Sequence, residues 1–125
     1  MIEKEQMHLL QCIAQEIFDK KGFNILTLDV RSCPTMADFV VIGEATADVH
    51  VRSVAKSILE SLEQKGAQAE FIQGQQEGDW VVLDFYWLVV HLFKPGLREK
   101  YDLESLWKES EIVDVPVTQP TPFSV

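Results

Sequence analysis

Several features that identify common protein classes are missing from this chain of 125 residues. It has two cysteines, Cys12 and Cys33, and neither belongs to a C-x-x-C pair. No apolar run approaches the roughly 20 residues that cross a bilayer. Acidic residues follow Met1, where a leader peptide would be basic. We therefore expect a cytoplasmic protein with reduced thiols and no membrane association.

Motifs for phosphate binding, metal binding and covalent catalysis are also missing. There is no glycine-rich phosphate loop and no G-x-S-x-G. The three histidines fall in separate predicted elements, away from cysteine or glutamate at ligand spacing, which argues against a metal site. Two-metal nucleotidyl transfer needs two acids that are two residues apart on a strand. The residues two positions before and after Asp84 are Val82 and Tyr86, and neither is acidic. The sequence predicts neither an enzyme nor a bound cofactor.

What the chain does have is negative charge, with 20 acidic and 11 basic residues and a formal net charge of −9. An acidic surface is repelled by nucleic-acid phosphates, so direct nucleic-acid recognition is not expected. The same charge favours a basic protein as partner.

Apolar spacing predicts an α/β domain. Helices are predicted over residues 3–21, from Thr46 or Asp48 to about 65, and, in broken form, over 97–108; strands are predicted over residues 25–30, 39–42, 69–73, 80–85 and 88–93. The continuous apolar run at residues 39–42 is typical of a central strand buried on both faces. We expect a mixed sheet of about five strands flanked by helices.

The last part of the chain has a different composition. Residues 110–125 contain three prolines and show no helical or strand periodicity. We predict one domain over residues 1–109 and a flexible C-terminal tail over residues 110–125.

Large aromatic residues stand in the most charged part of the chain. Tyr101 and Trp107 have Arg98, Asp102 and Glu104 around them. Exposed aromatics beside charges are enriched at protein interfaces. Two interpretations remain open here, a binding face and a helix folded over the sheet.

Four segments match the motifs of a known family. They are ADFVVI at residues 37–42, HVRSVA at residues 50–55, the stretch from Trp80 through Asp84 to Phe93, and REKYDLESLW at residues 98–107. In these segments the chain resembles the ribosomal silencing factor family, also called the iojap-related family, over residues 5–109.

The resemblance implies a nucleotidyltransferase-like fold without the transferase's catalytic acids, and a function that is not catalysis. Members bind a ribosomal protein of the large subunit (L fourteen) and sterically block association of the two ribosomal subunits. Translation is thereby repressed under nutrient limitation. Free members are often homodimers, so a homodimer is expected here too.

The resemblance also points to a partner-binding face. It comprises Trp80, Asp84, Tyr101, Leu103, Glu104 and Trp107. Two alternatives stay open at this point. One is a divergent nucleotidyltransferase-like enzyme that binds a nucleotide, and the other is a general adaptor for a different basic protein.

The chain leaves the family pattern at one turn. Tyr86-Trp87 replaces the family's Gly-Asp between the last two predicted strands. A two-residue type I′ turn needs positive φ at both positions, which bulky residues resist. We predict a different turn or a bulge, with the two aromatics either contacting a partner or packing against the helix from Leu97.

Overall fold

The structure, a computed structural model, describes residues 2–100 and 103–118. Its helices are α1 (Lys4–Asp19), α2 (Asp48–Gln64), α3 (Leu97–Lys100) and a 3₁₀ helix (Leu103–Trp107). Its strands are β1 (Phe23–Asp29), β2 (Phe39–Glu44), β3 (Phe71–Gln73), β4 (Trp80–Asp84), β5 (Leu88–Phe93) and β6 (Glu111–Ile112). No helix in the described part of the chain is long and apolar enough to cross a membrane.

The strands form one six-stranded sheet in the order β3-β4-β5-β2-β1-β6. β2 and β5 are parallel, with Val41 opposite Val90, and the other neighbours are antiparallel. The expected α/β fold with a mixed sheet is therefore confirmed. The sixth strand, β6, was not predicted.

β2 lies inside the sheet and is buried along its whole length. Phe39 and Val41 pack with the apolar cluster below the helices, whereas Val40 and Ile42 pack with a second cluster on the opposite face. This two-sided burial explains why the strand reads as an unbroken apolar run.

Helices α1 and α2 cover one face of the sheet. The buried residues of each helix recur at intervals of three and four positions, so they lie on one side of the helix. They pack against every second residue of β4 and β5. The helix residues in this cluster include Leu10, Ile13, Ile17, Val54, Ile58 and Leu62.

The C-terminal segment after β5 packs on the opposite face. Trp107, at the end of the 3₁₀ helix, joins an apolar cluster with Leu28, Val40, Ile42 and Phe93. The sheet is therefore covered on one face by α1 and α2 and on the other by this shorter C-terminal segment.

Residues 111–118 have defined contacts, in contrast to the predicted flexible tail. β6 pairs with the end of β1, and the N–H of Val113 donates to the carbonyl oxygen of Thr27 at 2.9 Å. The Gln15 side chain exchanges two hydrogen bonds with the backbone of Thr118, at 2.7 and 3.0 Å. The half-buried residues alternate here, at Val113, Val115 and Val117. This strand-like period was obscured by the prolines, and residues 119–125 lie outside the described part.

The turn between β4 and β5 differs from type I′, as predicted. Tyr86 has a φ of 79°, whereas Trp87 does not have positive φ. The N–H of Trp87 donates to the carbonyl oxygen of Phe85 at 3.1 Å, which closes a γ-turn around Tyr86. The Asp84 carboxylate accepts the N–H of Tyr86 at 2.8 Å and holds this conformation.

The two turn aromatics have different surroundings. Trp87 packs edge-on against Phe39, with ring centroids 6.0 Å apart, and its carbonyl oxygen accepts the N–H groups of Asp38 and Phe39. Tyr86 is 70% exposed. The predicted packing against the helix from Leu97 is therefore wrong for Trp87, because the turn and that helix lie at opposite ends of β5.

The strained backbone at Tyr86 gives a stability prediction. Tyr86→Gly and Tyr86→Ala both remove the exposed ring, but only glycine adopts positive φ without a steric penalty. We expect the glycine variant to be more stable than the alanine variant by about 1 kcal/mol. Urea unfolding of both variants measures the difference, and equal stability would show that the turn relaxes without cost.

Candidate partner-binding face

Alternation along β4 and β5 defines the candidate face. Val81, Leu83, Val90 and their same-face neighbours pack below α1 and α2, so the residues between them point to the other side of the sheet. We call this side of β4 and β5 the aromatic face; it consists of Trp80, Val82, Asp84, Val89, His91 and Phe93.

An aromatic cluster forms one end of the aromatic face. The indole N–H of Trp80 donates to Nδ1 of His91 at 3.1 Å. The ring of Trp107 lies 5.5 Å from the imidazole, and that of Phe93 lies 5.2 Å from the Trp80 ring. The C-terminal segment is thus fixed to the sheet by ring contacts around one imidazole.

His91 is held in its neutral form. Its Nδ1 accepts a hydrogen bond from Trp80 and therefore carries no proton, so the proton is on Nε2. Burial lowers the pKa of His91 from 6.5 to about 4, while the charge of Asp84 acts weakly in the opposite direction. The imidazole is a structural acceptor and not a proton donor at neutral pH.

The structure brings together only some of the predicted contact residues. Trp80 and Asp84 lie on the aromatic face and are half-buried. Trp107 is 9% exposed, so the expectation that its ring supplies contact area is wrong: it is a core residue. Tyr101 lies outside the described residues, as do the side chains of Leu103 and Glu104.

Asp84 stands without a second carboxylate beside it in the sheet. Its cross-strand neighbours are Phe71 on β3 and Val89 on β5. One carboxylate oxygen accepts the N–H of Tyr86, and among the described residues no hydrogen bond to the other oxygen is seen. Asp84 therefore stabilises the turn and adds one negative charge to this surface. It has no second carboxylate beside it with which to bind two metal ions.

A buried ion pair anchors the C-terminal segment at its other end. Nη1 of Arg98 lies 2.9 Å from Oε2 of Glu44, and it also donates to the carbonyl oxygen of Asn24 at 2.9 Å. The amide of Asn24 donates to the same carboxylate oxygen at 3.0 Å. Glu44 and Arg98 are 5% and 9% exposed. This network ties the start of the segment to β1 and β2.

Three features of the structure were not predicted from the sequence. Nothing marked Glu44 as a partner of Arg98, because 54 residues separate them. His8 and Cys12, with Nε2 and Sγ 3.8 Å apart, are one helical turn apart, a ligand spacing that was overlooked. Within the described residues no group of three potential ligands surrounds a common point. The exposed Phe71 on β3 also gave no signal, since an apolar residue in a strand is ordinarily core.

His50, part of the second family motif, joins the two helices. Its Nδ1 accepts the N–H of Thr46 at 3.1 Å, so Nε2 carries the proton and donates to the carbonyl oxygen of Lys20 at 2.6 Å. The histidine satisfies backbone groups at the end of α1 and before α2. Its role is structural.

Comparisons with known proteins agree on one family. Residues 3–123 match the family described as ribosomal silencing factor during starvation. The ribosomal silencing factor of Bacillus subtilis is 31% identical over 110 residues, which are 88% of this chain and 93% of that protein. A mouse protein named mitochondrial assembly of ribosomal large subunit protein 1 is 32% identical over 73 residues, 56% of this chain and 32% of its own length. A crystal structure from Bacillus halodurans superposes with a TM-score of 0.75 at 26% identity, covering 86% of this chain and 97% of that one.

The ion pair between Glu44 and Arg98 predicts a mutational pattern. Arg98→Met leaves the Glu44 carboxylate buried without its cation, so we expect a loss of about 3 kcal/mol in the free energy of unfolding. Replacing both residues, as Glu44→Leu with Arg98→Met, removes the unpaired charge and should cost less than the single change. Urea unfolding checks both. A double variant as unstable as the single one would contradict a charge-based explanation.

The lowered pKa of His91 predicts how stability depends on pH. Above pH 6.5 both folded and unfolded forms are neutral at this residue; as pH falls from 6.5 towards about 4, only the unfolded form takes up a proton. This group should therefore lower the free energy of unfolding by about 3 kcal/mol across that window. His91→Phe cannot titrate, so its unfolding free energy should change less over the same window. Parallel slopes for both proteins would refute this.

Proposed function

This chain belongs to the ribosomal silencing factor family, and we propose that it represses translation by binding ribosomal protein L fourteen and blocking association of the ribosomal subunits. The family membership supports a ribosome-associated role in general. The identity of the ribosomal protein and the steric block are our proposal. They follow from the motif resemblance at residues 37–42, 50–55, 80–93 and 98–107.

The observation that carries this proposal is an apolar surface with one carboxylate, Asp84, that α1 and α2 leave uncovered. Val82, Asp84 and Val89 stay half-exposed on the aromatic face, and Leu106 on the adjoining 3₁₀ helix is 62% exposed. The whole chain carries a net charge of −9. Such a surface suits a basic protein partner, because apolar contact and charge pairing act together there.

The predicted contact residues divide into two roles in this proposal. Trp80 and Asp84 supply contact from the sheet, together with Tyr101, Leu103 and Glu104 from the C-terminal segment. Trp107 acts as a positioning residue instead, because its buried ring fixes that segment against His91. The name of the mouse relative, which refers to the large ribosomal subunit, supports the same subunit as the binding partner.

The size of the domain supports a steric mechanism. A compact chain of 125 residues has a radius of gyration of about 14 Å. Bound on the interface side of the large subunit, such a body prevents close approach of the small subunit without any catalysis. This role places the protein in the cytoplasm with the ribosomes, and a homodimer of the free protein stays a prediction.

The proposal is tested with purified ribosomal subunits. Added to large subunits before small subunits, the protein should co-sediment with the large subunit and lower the yield of joined ribosomes in a sucrose gradient. Asp84→Asn keeps an oxygen acceptor for the N–H of Tyr86 but removes the charge. We expect large-subunit binding to weaken by about ten-fold in this variant, with a smaller dependence on salt.

Glu63→Gln is the matched control, since it removes one carboxylate from α2 on the other side of the sheet. It should bind as the unchanged protein does. Equal losses in both variants would mean that net charge alone matters, and normal subunit joining in the presence of bound protein would disprove the steric block.

A further inference from the structure

The outermost strand β3 is a short edge of the sheet with no charged residue or proline among its three residues. Phe71 and Ile72 are 67% and 44% exposed, and Gln73 is also exposed. Edge strands are usually protected by charged residues or proline, because their free backbone groups otherwise pair with other chains. The opposite edge follows this rule, since β6 begins with Glu111 and Pro116 comes soon after it. The three residues of β3 have neither device.

Two exposed aromatic residues, Phe71 in β3 and Tyr86 in the turn after β4, lie at this end of the edge, and we call them the aromatic patch. Phe71 is opposite Asp84 in the β3–β4 register, so its ring and the carboxylate share one side of the sheet. Tyr86, which is 70% exposed, lies in the turn two residues after Asp84. The N–H of Glu70 donates to the carbonyl oxygen of Asp84 at 2.7 Å, which fixes the edge against the turn.

The charges around this patch are predominantly negative. Glu70 precedes β3, Asp84 lies beside Phe71, and Glu77 is in the loop that follows β3. The cations near the loop after β3 are already paired, since Arg52 lies 3.4 Å from the Asp48 carboxylate and Lys94 lies 3.2 Å from that of Asp79. Apolar area beside carboxylates complements a segment that alternates apolar and basic residues.

We propose that β3 and the adjacent Phe71 and Tyr86 form a docking edge for an extended basic segment of the partner protein. The segment adds to the sheet along β3 and places its apolar side chains against the two rings. Its lysine or arginine side chains alternate to the opposite side of the edge, towards Glu70. An extended segment fits better than a helix, because only a strand satisfies the backbone groups at a sheet edge. This inference rests on the proposed function for the identity of the partner, a basic ribosomal protein.

A peptide titration tests the edge without ribosomes. The probe is a short peptide of alternating lysine and valine, and its glutamate-for-lysine counterpart is the control. In amide NMR spectra the basic peptide should shift the signals of residues 70–73 and of Tyr86, and the acidic peptide should not. Shifts confined to other regions, or equal shifts with both peptides, would overturn the proposal.

Binding of two matched variants to the large subunit tests the same edge. Phe71→Thr and Ile112→Thr each replace an exposed apolar residue on an edge strand with a strand-favouring polar one, at opposite edges of the sheet. We expect Phe71→Thr to weaken binding of the lysine–valine peptide and of the large subunit by roughly ten-fold. Ile112→Thr should change neither. Ile72→Lys, which puts a positive charge on the edge, is a second variant and should weaken both as well.

The outcomes separate this inference from the proposed function. If the unchanged protein co-sediments with large subunits and Phe71→Thr and Ile72→Lys do so equally well, the docking edge is wrong and the function stands. If the unchanged protein does not bind large subunits, the proposed function fails, and the peptide titration alone then decides on the edge. Thermal unfolding of each variant shows that a loss of binding is not a loss of folding.

Discussion

The buried ion pair between Glu44 and Arg98 joins two parts of the chain on which the candidate face depends. Glu44 ends the central strand, whereas Arg98 begins the segment that crosses the second face of the sheet. The carboxylate also accepts from the side-chain amide of Asn24, so its charge is both paired and hydrogen-bonded. Such pairs contribute little net stability compared with apolar packing, but their geometry is strict. Here it fixes where the C-terminal segment starts.

The other end of that segment is held by a different kind of contact. Trp107 packs against His91, whose imidazole accepts the indole proton of Trp80. The ion pair at Arg98 and the aromatic cluster at Trp107 thus fix two points of the segment against the sheet. In the proposed function the buried tryptophan acts indirectly, because it contacts the sheet and not the partner.

The aromatic face and the edge strand β3 together form one acidic and apolar surface of the molecule. Asp84 connects them, since it belongs to the face, accepts the turn N–H of Tyr86 and lies opposite Phe71. The two proposals nevertheless differ in content. The first concerns a family surface inferred from motifs, and the second concerns an edge that only the strand order reveals.

The sequence by itself determined the helices, five of the strands, the central place of β2 and the unusual turn at Tyr86, because apolar period and backbone sterics are local properties. It also determined the family, through four motifs. Only the tertiary structure decided that Trp107 is buried, that Arg98 meets Glu44, that residues 111–118 contact β1 and α1, and that Phe71 is exposed at an edge. These depend on which strands become neighbours and on side chains that meet across many residues, and local patterns do not contain that information.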